Sequence, residues 1–270
     1  MSTDESPNSP LCNRRLGASW DTLSENYFGR ILSPFGTKRS TNALLELMPS
    51  FPPFARVLDA GCGNGYLLDA LRRRRNVFDG VVGLDLSHTM CTTARQTRDS
   101  RYSVIQGDMA HPPFKGQRFD AVIAINSLLS ADRRKRDNIL RSFSWLLRPG
   151  GHLVMLVPSL ESYNEQLMYL REEYMAEGCD ERTAIAHVYD TLNERLFDPI
   201  GGYVTIARTT LRVKLYYRQE IATYLEDVGM RGTTVVRYSY PAAMCRSLGM
   251  TCGRDGLYDW FVTCRRGPEG

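Results

Sequence analysis

The chain of 270 residues carries 34 lysine and arginine residues against 30 acidic ones, a formal net charge of +4, and 43% of its residues are hydrophobic. These values are typical of a globular protein and predict one α/β catalytic domain with insertions, not two independent domains. No apolar run reaches membrane-spanning length, and the polar N-terminus lacks the hydrophobic segment of a signal peptide, so we expect a cytoplasmic protein without a membrane partner.

Cysteine spacing and charge runs argue against two kinds of site. The seven cysteines are scattered, with no C-x-x-C pair and no cysteine or histidine cluster at zinc spacing, so we expect reduced thiols and no metal. Two basic runs, Arg72–Arg75 and Arg133–Arg136, could contact phosphates, but each fits the end or the start of a helix. The sequence therefore argues against a nucleic-acid partner.

The first 50 residues predict a tail and two helices. Residues 1–15 are rich in serine, proline and asparagine, which predicts a disordered tail. A second helix is predicted to begin near Ser40 as its N-cap, and within residues 16–50 both helices should contribute to a lid. The first helix is indicated by an apolar stripe at helical spacing, formed by Trp20, Leu23, Tyr27 and Ile31.

Residues 51–160 alternate between short apolar strands and amphipathic helices. Such alternation predicts a parallel, doubly wound sheet with right-handed crossovers, which binds its ligand at the carboxyl ends of the strands. The five strand segments are ARVLDA, GVVGLDLS, YSVIQGD, FDAVIAINS and HLVMLVP.

The pattern changes after the fifth strand. Two helices with periodic apolar residues predict a helical cap insertion over residues 161–208. Residues 209–217 then alternate as a strand with one solvent-facing side, and a further helix ends at Gly229. The segments TTVVRYSY and LYDWFVTCRR follow as closing strands, so residues 209–270 are expected to complete a sheet of seven core strands.

The loop after the first strand, VLDAGCGNGYLL, places Asp59 before three glycines spaced G-x-G-x-G. A dinucleotide site is typically G-x-G-x-x-G and has no carboxylate beside the pyrophosphate, which disfavours the alternative of an NAD-dependent oxidoreductase. A cationic ligand fits this loop better. S-Adenosylmethionine has an ammonium and a sulfonium at one end and two hydroxyls on its ribose, so these residues favour it as the cofactor.

Three strand ends would each meet a different part of this cofactor. Asp59 would stabilise the cationic end, while Gly61 and Gly63 admit the methionyl chain. Asp85, which ends the second strand, would accept both ribose hydroxyls, and Asp108, after the third strand, would accept the adenine amine.

In this order and spacing, the motifs resemble those of the class I S-adenosylmethionine-dependent methyltransferases. VLDAGCGNG is similar to their first motif, GLDLS to the ribose motif, QGDM to the adenine motif, and FDAVIAINSLL and LLRPGGHLVM to the fourth- and fifth-strand motifs. The resemblance covers about residues 40–160 and the C-terminal closure. It implies a Rossmann-like α/β sheet of seven strands in the order 3-2-1-4-5-7-6, with the last strand antiparallel.

The resemblance also implies S-adenosyl-L-methionine as cofactor and assigns the residues around it. The cofactor-binding candidates are Asp59, Ala60, Gly61, Cys62, Gly63, Gly65, Asp85, Leu86, Met90, Gly107, Asp108, Met109 and Asn126.

Catalytic candidates come from the end of the fourth strand and from segments outside the sheet. Asn126 and Ser127 follow the fourth strand, where the methyl group should point, and Ser127 suits orienting an acceptor better than deprotonating it. Tyr27 is the aromatic candidate of the N-terminal helix. His187 is the histidine of the insertion, although a solvated surface histidine is the simpler interpretation.

The predicted lid indicates the kind of acceptor. An N-terminal helix bearing Tyr27 and an inserted cap bearing Tyr163 would close a pocket sized for a small molecule. The resemblance implies methyl transfer to an O, N or C atom of such a molecule, for example a secondary metabolite. RNA or protein methylation and a binding protein without activity are the alternatives, and the oligomeric state is left open.

Overall fold

The computed structural model describes residues 10–24, 31–72, 78–96, 102–194, 196–206 and 209–268. Within these ranges helices and strands alternate as the sequence predicts. In chain order the elements are α1 (Pro10–Ser24), α2 (Lys38–Leu47), β1 (Ala55–Ala60), α3 (Tyr66–Arg72), β2 (Phe78–Asp85), α4 (His88–Ala94), β3 (Tyr102–Gln106), β4 (Phe119–Ile125), α5 (Arg133–Leu146), β5 (Leu147–Pro158), α6 (Leu160–Ala176), α7 (Glu181–Glu194), β6 (Tyr203–Thr205), β7 (Arg212–Lys214), α8 (Arg218–Asp227), β8 (Met230–Ser239), α9 (Ala242–Ser247) and β9 (Tyr258–Arg266).

Seven strands form the central sheet in the order β3-β2-β1-β4-β5-β9-β8. β1 to β5 run parallel, whereas β9 pairs antiparallel with both β5 and β8. When the sheet strands alone are numbered along the chain, this order reads 3-2-1-4-5-7-6. The predicted fold and its antiparallel last strand are confirmed.

The central strands are apolar because both faces of the sheet are covered. Val57 and Ile123 pack in the core beneath α2 and α3, whereas the adjacent Leu58 and Val122 pack in the core beneath α5 and α8. All four side chains are fully buried, and each contributes roughly 1.5–3 kcal/mol through burial. Because successive side chains of a strand point to opposite faces of the sheet, each central strand packs into both cores. This packing holds the strand in place, and with it the residues at its carboxyl end.

The N-terminal helices differ from the prediction in their bounds. α1 begins at Pro10, a residue suited to the first turn because that position has no partner for an N–H, so residues 10–15 are helical and not part of a disordered tail. The N-cap of α2 is Thr37, not Ser40. Thr37 Oγ1 accepts the Ser40 N–H at 3.1 Å, and Ser40 Oγ accepts the Thr37 N–H at 3.2 Å, which closes a capping box.

The two predicted insertion helices exist as α6 and α7, and α6 is anchored to β9. The Ser162 hydroxyl accepts the N–H of Tyr258 at 2.8 Å, and Glu161 accepts the indole N–H of Trp260 at 3.0 Å. β6 and β7 form a separate two-stranded hairpin. The strand predicted over residues 209–217 is therefore limited to Arg212–Lys214.

Three absences concern the described ranges. None of their helices is long and apolar enough to cross a bilayer. The six cysteine side chains that the structure describes are free thiols. No three of the described His, Cys, Asp and Glu side chains are grouped closely enough to hold one metal ion.

Candidate active site

A cavity of about 450 Å³ opens at the carboxyl ends of β1, β2, β3 and β4. One wall, here called the sheet-side wall, consists of the loop after β1, the residues that end β2 and follow β3, and Ile125–Ser127 at the end of β4. The opposite wall, here called the roof, consists of Leu16, Ser19 and Trp20 of α1 and residues 210–213 at β7. The parallel strand ends therefore supply one side, and two distant segments supply the other.

The three glycines of the loop serve two purposes. Gly61, Gly63 and Gly65 all have positive φ angles, of 79°, 50° and 82°. A Cβ atom on Gly61 would lie 2.3 Å from Cβ of Ser127, and one on Gly65 would lie 3.2 Å from Cβ of Ala94, so these two glycines permit close packing. A Cβ atom on Gly63 would meet only the Met90 sulfur, at 3.5 Å. Gly63 is therefore the glycine that keeps space for a ligand.

Asp85 is held at the end of β2 by two main-chain donors. Its Oδ2 accepts the N–H of Gly63 and its Oδ1 accepts the N–H of Ser87, both at 2.8 Å. Burial raises the pKa of Asp85, although these N–H donors lower it. Each carboxylate oxygen accepts one bond and has a further lone pair. The geometry suits a pair of hydroxyls delivered from the cavity.

Asp59 lies beneath the glycine loop, 2% exposed, and is not part of the cavity wall. Its Oδ2 is buried and has no hydrogen-bond partner. Burial, reinforced by the charge of Asp85, raises the pKa of Asp59 well above its usual value. A buried carboxyl group without a donor is costly unless a positive charge or a proton compensates it. A cation bound above the loop would supply that compensation.

Asp108, after β3, is already paired in the protein. Its Oδ2 lies 3.1 Å from Nζ of Lys135, and its Oδ1 accepts the Ala110 N–H at 3.0 Å. Lys135 is 5% exposed and lines the same end of the cavity. The predicted contact of Asp108 with an adenine amine would therefore be shared with Lys135.

The second basic run begins α5, as predicted, and two of its four side chains, Lys135 and Arg136, are buried. Arg136 is 2% exposed and donates to the carbonyl oxygens of Ser130 and Ala131, at 2.8 and 2.9 Å. It thus fixes the loop after β4, while Lys135 holds Asp108. Arg133 and Arg134 are exposed. The first run, Arg72–Arg75, falls mostly outside the described residues.

The residues after β4 bring two polar side chains to the cavity. Asn126 has a φ of 49°, and its N–H still pairs with the carbonyl of Leu156 at 2.9 Å. The Ser127 hydroxyl donates to the carbonyl of Ala60 at 2.7 Å. Because this proton is engaged beneath the loop, Ser127 serves to fix the strand end and not to deprotonate an acceptor.

The roof is held together by its own apolar cluster. Leu23, Leu129, Leu211 and Val213 are buried together, with Trp20 packed against them. α1 is also tied to the start of α4, because Oδ1 of Asp21 accepts the hydroxyl proton of Ser87 and the N–H of Thr89, the latter at 3.1 Å. These contacts hold the two segments of the roof over the strand ends.

A family model described as a methyltransferase domain matches residues 57–151. This stretch contains the glycine loop, Asp85, Asp108 and the end of β4, and the fold is the Rossmann-like one that the motifs predicted. Residues 57–151 are thus similar to a methyltransferase domain, and the fold is that of the class I S-adenosylmethionine-dependent methyltransferases. The match supports S-adenosyl-L-methionine as the cofactor.

The relatives of this chain differ in what their names say they act on. The tRNA (carboxymethyluridine(34)-5-O)-methyltransferase ALKBH8 of Mus musculus is 24% identical over 189 residues, which are 63% of this chain but only 27% of the mouse protein. The demethylmenaquinone methyltransferase of Lactiplantibacillus plantarum is 26% identical over 231 residues, 83% of this chain and 91% of that protein. The chain thus spans about a quarter of one relative and most of another.

Solved structures show the same fold. A putative methyltransferase from Haloferax volcanii, solved in complex with the Trm112 methyltransferase activator, superposes with a TM-score of 0.58 at 17% identity, covering 97% of this chain and 99% of that one. At this identity the likeness concerns the fold alone.

Three buried side-chain oxygens test whether the site fits the cofactor. Asp59 Oδ2, Asn64 Oδ1 and Asn126 Oδ1 have no donor among the described residues, and Asn64 and Asn126 line the cavity. All three are acceptors clustered about the loop and the end of β4. The methionyl ammonium is a donor of three hydrogen bonds with a positive charge, so the residues present fit the group.

Most predicted cofactor residues are brought together at the cavity. The predicted residues on its wall are Gly61, Cys62, Gly63, Asp85, Leu86, Met90, Gly107, Asp108, Met109, Asn126 and Ser127. Asp59, Ala60 and Gly65 lie outside the cavity lining. Burial raises the pKa of the Cys62 thiol, which suits a filler and not a nucleophile.

Two predictions about the segments outside the sheet do not match the cavity. His187 is exposed on α7 with its ring 5.0 Å from that of Tyr174, and the ring of Tyr163 lies 4.5 Å from that of Phe197. No described residue of α6 or α7 lines the cavity, because α6 is bonded to β9 instead. Tyr27 lies outside the described residues.

Several lining residues were missed by the sequence reasoning. The apolar stripe that contains Trp20 predicts a helix, but it does not identify the surface against which that helix packs. Tyr66 directly follows the first motif, which is the signal that could have found it, whereas Lys135 lies six residues after the fourth-strand motif, where no such signal points to it. The other lining residues that were not named as site residues are Leu16, Ser19, Ser33, Phe35, Asn64, Ile125, Leu129, Ser130, Ala131, Asp132, Ile139 and residues 210–213.

Proposed function

We propose that the methyltransferase transfers the methyl group of S-adenosyl-L-methionine to an O, N or C atom of a small molecule bound beneath the roof. The observation that carries this proposal is that α1 and β7 line the cavity together with the strand ends. Trp20, Leu211 and Val213 give that wall an apolar surface, and Phe35 and Leu129 extend it. A concave, mostly apolar site with a few polar groups is typical of small-molecule recognition.

The charges around the cavity support a small acceptor over RNA. A nucleic-acid groove needs accessible cations for the phosphates. Here Lys135 is paired with Asp108 and Arg136 is buried, while the half-exposed Arg212 lies 3.4 Å from a carboxylate oxygen of Asp198. RNA is nevertheless the second candidate, because three of the relatives are named for a tRNA substrate.

The chain's own groups would orient and shield the reaction. The bound cofactor supplies an electrophilic methyl group. Asp85 would hold the ribose hydroxyls, Asn126 would accept a hydrogen bond at the end of β4, and the apolar roof would exclude water from the acceptor.

The described wall offers no free general base. It contains no histidine, and its carboxylates Asp85, Asp108 and Asp132 already accept main-chain N–H donors or a lysine ammonium. The acceptor would therefore have to bring a nucleophile that needs no base from this wall, such as a carboxylate, a phenolate or an electron-rich carbon.

Incubation of a host extract with the enzyme and methyl-deuterated S-adenosylmethionine tests the proposal. We expect the label in a low-molecular-mass product, and the Asp85→Ala variant provides the negative control. Label found in RNA or protein, with none in the small-molecule fraction, would replace the proposal with the second candidate. Absence of label in every fraction, despite cofactor binding, would indicate a binding protein.

A further inference from the structure

A buried tyrosine–carboxylate pair lies behind the end of β4. Tyr240 is 1% exposed and Asp259 is 9% exposed, and the Tyr240 hydroxyl donates to Oδ2 of Asp259 at 2.6 Å. Both residues lie outside the stretch that the family model matches, in the C-terminal part of the sheet. Burying a carboxyl group has a cost that two apolar side chains would avoid.

The pair reaches the cavity through Asn126. The Asn126 Nδ2 group lies 3.5 Å from the Tyr240 oxygen and 3.4 Å from the carbonyl oxygen of Leu32. Asn126 lines the cavity, and its Oδ1 is buried without a partner. Asn126 thus has its donor end on the protein and an unused acceptor.

The direction of each hydrogen bond in this network follows from the number of protons that each group can donate. A tyrosine has one hydroxyl proton, and at 2.6 Å from Asp259 that proton belongs in the bond to the carboxylate. The Tyr240 oxygen then faces Asn126 as an acceptor, which selects the amide nitrogen for that side. The Leu32 carbonyl, which is only an acceptor, selects the same orientation. The Asn126 carbonyl oxygen is therefore the atom left for a ligand.

We propose that Tyr240 and Asp259 are positioning residues that hold the Asn126 carbonyl oxygen ready for the methionyl ammonium of the bound cofactor. The proposal rests on the cofactor assignment. Burial raises the pKa of Asp259 to about 7, and hydrogen bonds from Tyr240, Asn126 and the Ser159 N–H lower it. These hydrogen bonds offset part of the cost of burying the carboxylate.

The affinities of two ligands can distinguish this positioning role from a purely structural one. S-Adenosylhomocysteine has the amino-acid group, whereas 5′-methylthioadenosine has the adenosine and sulfur without it. We expect Tyr240→Phe to weaken S-adenosylhomocysteine about tenfold, the effect of one hydrogen bond to a charged group, and to leave 5′-methylthioadenosine unchanged in calorimetry. Tyr238→Phe is the matched control, because that buried hydroxyl donates to the Ser40 carbonyl at 2.7 Å instead.

A second variant keeps the test decisive if Tyr240→Phe folds poorly. Asn126→Ala should show the same selective loss, and combining both substitutions should add little, since the two act through one bond. Equal losses for both ligands, or none for S-adenosylhomocysteine in Asn126→Ala, would overturn the positioning role while the cofactor assignment stands. Wild-type enzyme that binds neither ligand would overturn the assignment and the proposal together.

Discussion

The two walls of the cavity are built in different ways. The sheet-side wall is formed by consecutive strand ends joined by main-chain bonds, such as those from Gly63 and Ser87 to Asp85. The roof joins α1 to residues about 190 positions later through the apolar cluster of Leu23, Leu129, Leu211 and Val213. Main-chain hydrogen bonds fix geometry through their directionality, whereas apolar contacts are non-directional and allow side chains to repack. The cofactor is therefore expected to meet a rigid surface and the acceptor an adjustable one.

The largest loss of cofactor affinity is expected from a substitution at the closely packed glycine of the sheet-side wall. Gly61→Ala should abolish binding of S-adenosylhomocysteine, because its Cβ would collide with Ser127 at 2.3 Å and its φ is 79°. Gly229→Ala is the control, since Gly229 has a φ of 83° with nothing within 4 Å of an added Cβ. Both variants place an alanine at a positive φ, but only Gly61→Ala adds a steric collision. Comparing their ligand affinities by calorimetry and their stabilities by urea unfolding therefore isolates the effect of the collision. Equal behaviour of the two would show that packing against Ser127 does not matter.

The second-largest loss of cofactor affinity is expected when Asp85, which accepts two main-chain N–H bonds, is replaced. Asp85→Ala should weaken S-adenosylhomocysteine binding by about 2–4 kcal/mol, because charged hydrogen bonds to the ribose are lost and two N–H donors lose their acceptor. Asp79→Ala on the same strand removes only an exposed ion pair with Arg56 and should leave the affinity unchanged. Unchanged affinity in Asp85→Ala would remove the ribose assignment.

Behind the sheet-side wall, Asp259 should make stability depend on pH. Its pKa is raised to about 7 from a usual value of 3.8, so the folded state favours the protonated form. That contribution is complete below pH 4 and is lost as the pH rises through 7. Relative to Asp259→Asn, the wild type should lose on the order of 4 kcal/mol of unfolding free energy between pH 4 and pH 8, since the shift of about three pKa units corresponds to about 1.4 kcal/mol per unit. Urea titrations that give parallel pH profiles for the two proteins would contradict it.

A smaller effect is expected in the roof. Trp20→Ala should lower acceptor turnover about tenfold while changing S-adenosylhomocysteine affinity little, because Trp20 packs in the apolar cluster of the roof. Hydrogen exchange in α1 and residues 209–213 should slow when cofactor and acceptor bind, while β1 and β4 stay protected. Tyr163→Ala in α6 is the control. Identical exchange in free and bound enzyme would show that the roof does not open.

The smallest effect is expected farthest from both walls. His187→Ala should change turnover by less than twofold, because that side chain is exposed and contacts Tyr174 instead of the cavity. A tenfold loss would mean that α7 reaches the acceptor in a closed form, and the distinction between the roof and the insertion would fail.

The sequence predicts the sheet-side wall well because strand ends and glycine loops are local patterns. Gly63 and Asp85 belong to one strand–helix–strand unit, β1-α3-β2, whose two strands are parallel neighbours in the sheet. The partners of the other helices are harder to predict. For example, the periodicity of α6 indicates that it buries one face, but its partner β9 is identified only by contacts such as that of Ser162 with Tyr258, about 100 residues away. Lys135 is similar, since a basic run gives no sign that one lysine is buried against Asp108.

The bond between α1 and α4 has a consequence for protein engineering. Asp21 belongs to α1, which forms part of the roof, yet its carboxylate accepts hydrogen bonds from the Ser87 hydroxyl and the Thr89 N–H, shortly after the strand that ends in Asp85. A chimera that takes its first 35 residues from another methyltransferase would therefore inherit a different partner for α4 as well as a different acceptor wall. Grafts with a carboxylate at position 21 should keep their cofactor affinity, and grafts without one should trade affinity for new specificity.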